Sequence, residues 1–260
     1  AVRTGNVSAG TSIFSMIVLE KNLKAVHREI DIVTTPCGDP VAMVHCNNCT
    51  TDLDAWVRMF GGLLGAAGTE ISKGKLYDLI YSLAAKGAPD CGGIVSYNYY
   101  AGEQITGLDS GKPLLFRNPD SDFTVENLAR SLVYSCVATL KLGMDILTEE
   151  EQVSLERIYA HGGLFKTPVP SQSILAAALG ADITLMQSAG EGGAWGIALL
   201  AAFAAREDRA LSLQDFLDKK VFGGMNGSTV SPAPEDVEGI KSYMKLYKAG
   251  VAAEKAAASV

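Results

Sequence analysis

Two short glycine-bearing stretches carry the residue types best suited to chemistry in this chain: Gly10-Thr11-Ser12 near the start and Gly162-Gly163 past the middle. A Gly-Thr-Ser turn offers backbone N–H groups and hydroxyl donors together, the combination that meets a terminal phosphate. At Gly162 and Gly163 the missing Cβ atoms leave the main chain bare. A flat or anionic ligand can approach it there, where a strand gives way to a helix. A nucleotide presents both kinds of surface. Taken singly, each stretch also fits an ordinary tight turn, because Ser, Thr and Gly are common turn residues. The joint reading depends on the elements that hold them.

Those elements read as an α/β sheet. The segment 156–205 organises the chain. It runs from Glu156-Arg157-Ile158-Tyr159-Ala160 through the glycines and a helix to Asp182-Ile183-Thr184-Leu185-Met186, after which Gly190-Glu191-Gly192-Gly193-Ala194-Trp195-Gly196 opens an apolar helix. Such repeated strand-turn-helix units place ligands at the strand ends. Residues 2–8 and 12–19 predict a hairpin around Ala9-Gly10-Thr11, 23–32 continues it as an alternating strand, 35–40 is a loop, and 41–45 is a further strand. Helical spacing covers 52–64, with Thr51 or Asp52 as cap, then 76–86 and 123–147, the last capped by Ser121 or Asp122. Residues 92–100 form an aromatic strand, 213–220 a short helix, 222–234 a Gly/Ser/Pro-rich loop and 236–249 an amphipathic helix, followed by an Ala-rich fraying end. Trp56, Cys136, Tyr243 and Tyr247 belong to the core on this pattern.

Composition narrows the classes. A chain of 260 residues with 48% hydrophobic content supports a sizeable core. A net charge of −7 and a pI near 5.0 lack the clustered basic residues that phosphate-backbone affinity requires, so no nucleic-acid partner is expected. The most apolar run, 195–205, is far shorter than the roughly 20 residues of a membrane-spanning helix, and no signal peptide opens the chain; a cytoplasmic location is expected. Five cysteines, an odd number, do not make a secreted disulfide framework. His45-Cys46-Asn47-Asn48-Cys49 lacks the second closely spaced pair of a zinc site, so reduced, mostly buried cysteines are expected.

In their order and separation, four segments resemble the C-terminal domain of the FGGY carbohydrate kinases, especially the xylulokinase and L-ribulokinase branch. They are Ala1-Val2-Arg3-Thr4-Gly5 running into Ser8-Ala9-Gly10-Thr11-Ser12; Tyr99-Tyr100-Ala101-Gly102-Glu103; His161-Gly162-Gly163 with Lys166-Thr167-Pro168; and Glu191-Gly192-Gly193-Ala194-Trp195-Gly196. Together they span nearly the whole chain. The resemblance implies an actin-like ATPase domain of ribonuclease H-like architecture, a mixed sheet flanked by helices, with residues 1–260 as a single nucleotide-binding domain. It implies ATP and Mg2+ as cofactors, a sugar as co-substrate, Gly10, Thr11 and Ser12 near the outer phosphates, Gly162 and Gly163 along the adenosine pocket, and Thr167 as a further nucleotide contact. Gln104 stands where the family usually has Arg, and His161 where it has a small residue.

The family's N-terminal Asp-x-Gly-Thr segment and its catalytic Asp have no counterpart in this sequence. Together with the start on Ala1-Val2-Arg3 rather than Met, this leads us to expect an excised half whose N-terminal partner domain is supplied by the same polypeptide. Alone, the half should be catalytically silent, and its bared cleft face leaves homo-oligomers open. The alternative function is an actin-like nucleotide-binding module without sugar chemistry.

Overall fold

The computed structural model describes residues 2–186, 192–207, 209–223 and 226–260. Alternation sets its first hairpin: in β2 (Ile13–Val18) Ile13, Ser15 and Ile17 are buried, while Phe14, Met16 and Val18 are half-buried on the other face. β2 pairs antiparallel with β1 (Thr4–Ala9) on one side and with β4 (Pro40–Cys46) on the other, and β3 (Asp31–Thr34) edges the sheet beyond β4. On its free side β1 pairs in parallel with β7 (Arg157–His161), which pairs in parallel with β8 (Asp182–Met186). β9 (Gly227–Val230) closes the sheet antiparallel to β8, giving the order β3-β4-β2-β1-β7-β8-β9. A separate hairpin joins β5 (Ile94–Tyr97) to β6 (Leu114–Arg117).

Parallel neighbours need long crossovers. That from β1 to β7 contains α1 (Thr51–Ala66), α2 (Lys73–Ala84) and α3 (Val125–Asp145), and that from β7 to β8 is α4 (Pro168–Leu179). α5 (Gly192–Ala204), α6 (Leu213–Phe216) and α7 (Pro234–Ala258) follow. α3 is the central helix, packed on β2, β4, β5, α2 and α4. Leu132, Val133, Val137 and Leu140 are buried along it, each contributing about 1.5–3 kcal/mol relative to exposure. Val125–Glu150 is long and apolar enough to cross a bilayer, and 78% of its apolar stretch is buried inside the protein. A second buried layer is aromatic: the Tyr247 hydroxyl stands 3.0 Å from that of Tyr99 and 2.9 Å from Thr139 Oγ1. Tyr243 and Tyr247 are core residues, as their spacing predicted.

Four local expectations change. The cap of α3 is Thr124, whose hydroxyl accepts the Asn127 N–H at 3.3 Å, rather than Ser121 or Asp122. β9 lies inside the stretch whose composition reads as loop. It is held by tertiary bonds, with Gln172 donating to the Ile183 and Ser228 carbonyls and Thr184 facing Thr229 at 2.9 Å. α7 runs through Gly250 without a break, past the end expected at 249; glycine stands there because any Cβ would meet the Phe116 ring and the Tyr97 hydroxyl. Residues 23–30 form no strand. The Glu151 carboxylate gathers that segment instead, accepting the Lys24 N–H at 2.5 Å and the Ala25 N–H at 3.1 Å, with His27 Nε2 at 2.7 Å.

These bonds hold the Glu151 carboxyl below its ordinary value, the Lys24 N–H first among them, followed by His27. A depressed carboxylate contributes stability that is present above its unfolded pKa and lost as pH falls through the folded one. Hydrogen exchange should therefore show the Lys24 and Ala25 amides losing protection only once the solution is acidified below the ordinary carboxylate range, and losing it at neutral pH in Glu151→Gln. Unchanged protection in that variant would remove Glu151 from this role.

Candidate functional site

Parallel pairing of β1 and β7 matches Ser8 with His161. Both strands therefore leave the sheet at the same edge, and the Gly10-Thr11-Ser12 turn and the Gly162-Gly163 pair follow side by side. Contact between them is close: Gly162 has φ +108, and a Cβ there would run into the Ala9 carbonyl oxygen. Only glycine fits both the dihedral and the space. Gly163, by contrast, is exposed, and a Cβ there would meet nothing within 4 Å. One glycine of the doublet joins the two turns; the other keeps a bare surface open.

The hairpin turn is fastened from beneath. The Gly10 N–H bonds the Ser12 carbonyl at 2.8 Å, the Cys49 N–H donates to the Thr11 carbonyl at 2.9 Å, and Thr50 donates to the Gly10 carbonyl from its N–H at 3.2 Å and its hydroxyl at 2.8 Å. Thr50 occupies the cap position of α1, where Thr51 or Asp52 was expected, and spends its side chain on the turn instead of the helix. With the turn held by its carbonyls, neither the Thr11 nor the Ser12 hydroxyl bonds another described residue. Thr11 is exposed and Ser12 half-buried.

One residue links this turn to the Tyr99-Tyr100-Ala101-Gly102-Glu103 segment. Asn48, 3% exposed, accepts the Tyr100 and Ala101 N–H groups at 2.8 and 2.9 Å and donates to the Ala101 carbonyl and to Glu103 Oε2, both at 3.1 Å. The Asn47 N–H also reaches Glu103 Oε2, at 3.0 Å. Glu103 is fully buried; desolvation pushes its carboxyl up, and the Asn48 and Asn47 bonds oppose that rise. In the sequence His45-Cys46-Asn47-Asn48-Cys49 stands out for its sulfurs, whereas in the structure its asparagines make the bonds. A polar pair directly after an apolar strand was the available signal. Cys46 and Cys49 are buried and Cys37 is exposed.

Thr167 stands apart from the paired turns. It sits at the head of α4, and its hydroxyl donates to Asp78 of α2 at 3.1 Å. α2 also reaches the glycine loop through the Tyr81 hydroxyl, 3.4 Å from the Leu164 carbonyl. His161 Nε2 lies 3.4 Å from Asn6 Nδ2, and burial lowers the imidazole pKa, which keeps it neutral near pH 7. Of the Glu191-Gly192-Gly193-Ala194-Trp195-Gly196 segment, Glu191 lies outside the described residues and the rest opens α5.

A mixed sheet with three parallel strands at its centre, flanked by helices, is the architecture of an actin-like ATPase domain. The chain belongs to the FGGY family of carbohydrate kinases, whose C-terminal domain model matches residues 5–205. Among solved structures it is similar to xylulose kinase from Bifidobacterium adolescentis, at 22% identity and TM-score 0.64, over 95% of this chain and 44% of that one. Ligand-bound xylulose kinase from Lactobacillus acidophilus superposes with TM-score 0.72 at 15% identity, over 97% of this chain and 48% of that one. For Plasmodium falciparum glycerol kinase with ADP the values are 0.69 and 13%, over 96% and 47% of the two chains. The chain thus spans less than half the length of these kinases. No curated protein sequence matches it.

The two glycines of the doublet should separate on substitution. Gly162→Ala forces an L side chain into a left-handed backbone against Ala9 and should cost at least about 1–3 kcal/mol in urea unfolding. Gly163→Ala should stay within about 0.5 kcal/mol of the parent. Equal effects would show that the close approach at Ala9 is not a constraint.

Proposed function

We propose that this chain is the ATP-binding half of a carbohydrate kinase that transfers the γ-phosphate of MgATP to a sugar hydroxyl, with a pentulose such as xylulose or ribulose as acceptor. The observation that carries the reading is the shared sheet edge of Gly10–Ser12 and Gly162–Gly163. One turn holds hydroxyls not bonded within the described fold, and the other is bare backbone. In this reading Gly10, Thr11 and Ser12 meet the outer phosphates. The Thr11 and Ser12 hydroxyls donate to oxygens whose charge grows as the phosphoryl group moves. Gly162 and Gly163 admit the adenosine, since a side chain at 163 would stand in open space above the pair. Thr167 acts indirectly, by fixing the loop after the doublet to Asp78.

Phosphoryl transfer also needs a divalent ion and a carboxylate to orient the attacking hydroxyl. Among the described residues no three of His, Cys, Asp and Glu gather as metal ligands. Mg2+ is commonly bound by one or two carboxylates together with substrate phosphates; when bound, it would neutralise developing phosphate charge. The hydroxyl-orienting carboxylate is expected from the N-terminal domain of a longer polypeptide, so residues 1–260 alone should bind nucleotide without turning it over. The pentulose assignment draws on the xylulose kinases among the similar structures; gluconate and glycerol kinases share the fold and widen the acceptors to be tested.

Calorimetry on residues 1–260 should give saturable ADP and ATP binding. Thr11→Ala removes a hydroxyl donor to a charged group, so it should weaken ATP by about tenfold or more and leave adenosine unchanged. A coupled assay of the longer polypeptide against pentoses, pentuloses and polyols should show sugar-dependent ADP release, fastest with a pentulose. Nucleotide-dependent assembly without sugar-dependent release would favour the actin-like module instead. Sugar-dependent turnover by residues 1–260 alone would overturn the division of labour.

A further inference from the structure

A cavity of about 380 Å³ opens between the first turns of α1 and the β5–β6 hairpin. Its walls are apolar, formed by the Trp56 ring, Met59, Leu114 and Leu115, and its polar groups are Asp52 and Ser96. Ser96 is already engaged, its hydroxyl 2.8 Å from that of Ser131. Asp52 is only partly engaged. Its Oδ2 accepts the Trp56 indole N–H at 3.1 Å, while Oδ1 bonds no other described residue.

This carboxylate is 5% exposed, and among the described residues no cation pairs with it; the nearby basic groups Arg58 and Lys73 pair with Asp54 instead. The free oxygen of Asp52 still meets solvent at the wall of an apolar cavity, where a positive charge or a hydrogen-bond donor would find a ready partner. Cavity size, the apolar walls and the half-satisfied carboxylate together point to one ligand chemistry. We propose that this cavity binds a small organic ammonium ion, its charged nitrogen on Asp52 and its apolar body between Trp56 and the Leu114-Leu115 wall.

Burial pushes the Asp52 carboxyl above its ordinary value, and the Trp56 N–H opposes that rise. A bound ammonium would draw it back down, so occupancy should fall as the solution is acidified through the carboxylate range. The site stands apart from the nucleotide reading. It makes no use of Gly10–Ser12 or of Gly162–Gly163.

Phenethylamine is the probe, and 2-phenylethanol its uncharged counterpart of the same shape. Isothermal calorimetry on residues 1–260 at pH 7 should give one saturable phenethylamine site, with the alcohol at least about tenfold weaker. Asp52→Asn should abolish that preference. Met59→Trp, which fills the mouth without touching the carboxylate, should remove both ligands while circular dichroism stays that of the parent. Absence of saturable phenethylamine binding at millimolar concentration would overturn the proposal. So would binding that survives Met59→Trp unchanged, or an amine preference that survives Asp52→Asn.

Discussion

The parallel pairing of β1 with β7 is the constraint from which the candidate site follows. Their register sets Ser8 against His161, and the backbones then come so close that residue 162 can have no side chain. Two turns separated by some 150 positions of sequence are thereby made one surface. Nothing local to either turn would achieve this, because a Gly-Thr-Ser hairpin and a glycine doublet are each unremarkable alone. The long crossover through α1, α2 and α3 exists to return the chain to the strand beside β1, and α3 at its core supplies much of the buried area that keeps the sheet in register.

Position is then refined by buried polar bonds. Thr50 and Cys49 hold the carbonyl side of the Gly10–Ser12 turn, and Asn48 ties the same segment to Ala101 and Glu103. Each is a donor or acceptor that would be costly to bury unpaired, so the network is fixed as a unit rather than bond by bond. The carbonyl side of the turn is thus fixed, while the Thr11 and Ser12 hydroxyls bond no other described residue.

Much of this was legible in the amino-acid sequence where a single physical signal dominated. Strand alternation in 13–18, helical spacing in 123–147 and the glycines at 10 and 162–163 read directly into β1, β2, α3 and the paired turns. Legibility failed where tertiary partners decide. Residues 23–30 alternate like a strand, yet Glu151, more than 120 positions away, takes their amides. Gly227–Val230 has loop composition, yet the free edge of β8 makes a strand of it. Thr50, one residue before the expected caps, gives its hydroxyl to a carbonyl 40 residues distant, and Asn48 lies within a Cys-x-x-Cys spacing that draws attention to its sulfurs. α5 is a different case. The sequence marks it as an apolar helix, and Ile197 on it is 69% exposed, because hydropathy reports what covering a surface would gain and not whether the cover is present.

The central claim is that a single adenine nucleotide spans the two glycine turns. Amide-resolved NMR of residues 1–260 titrated with ADP tests it most directly. The account predicts saturable shifts at Thr11, Ser12, Gly162 and Gly163 with one shared dissociation constant, while amides in the middle of α7 stay still. Shifts confined to one turn, or none at either turn under saturating ADP, would contradict it.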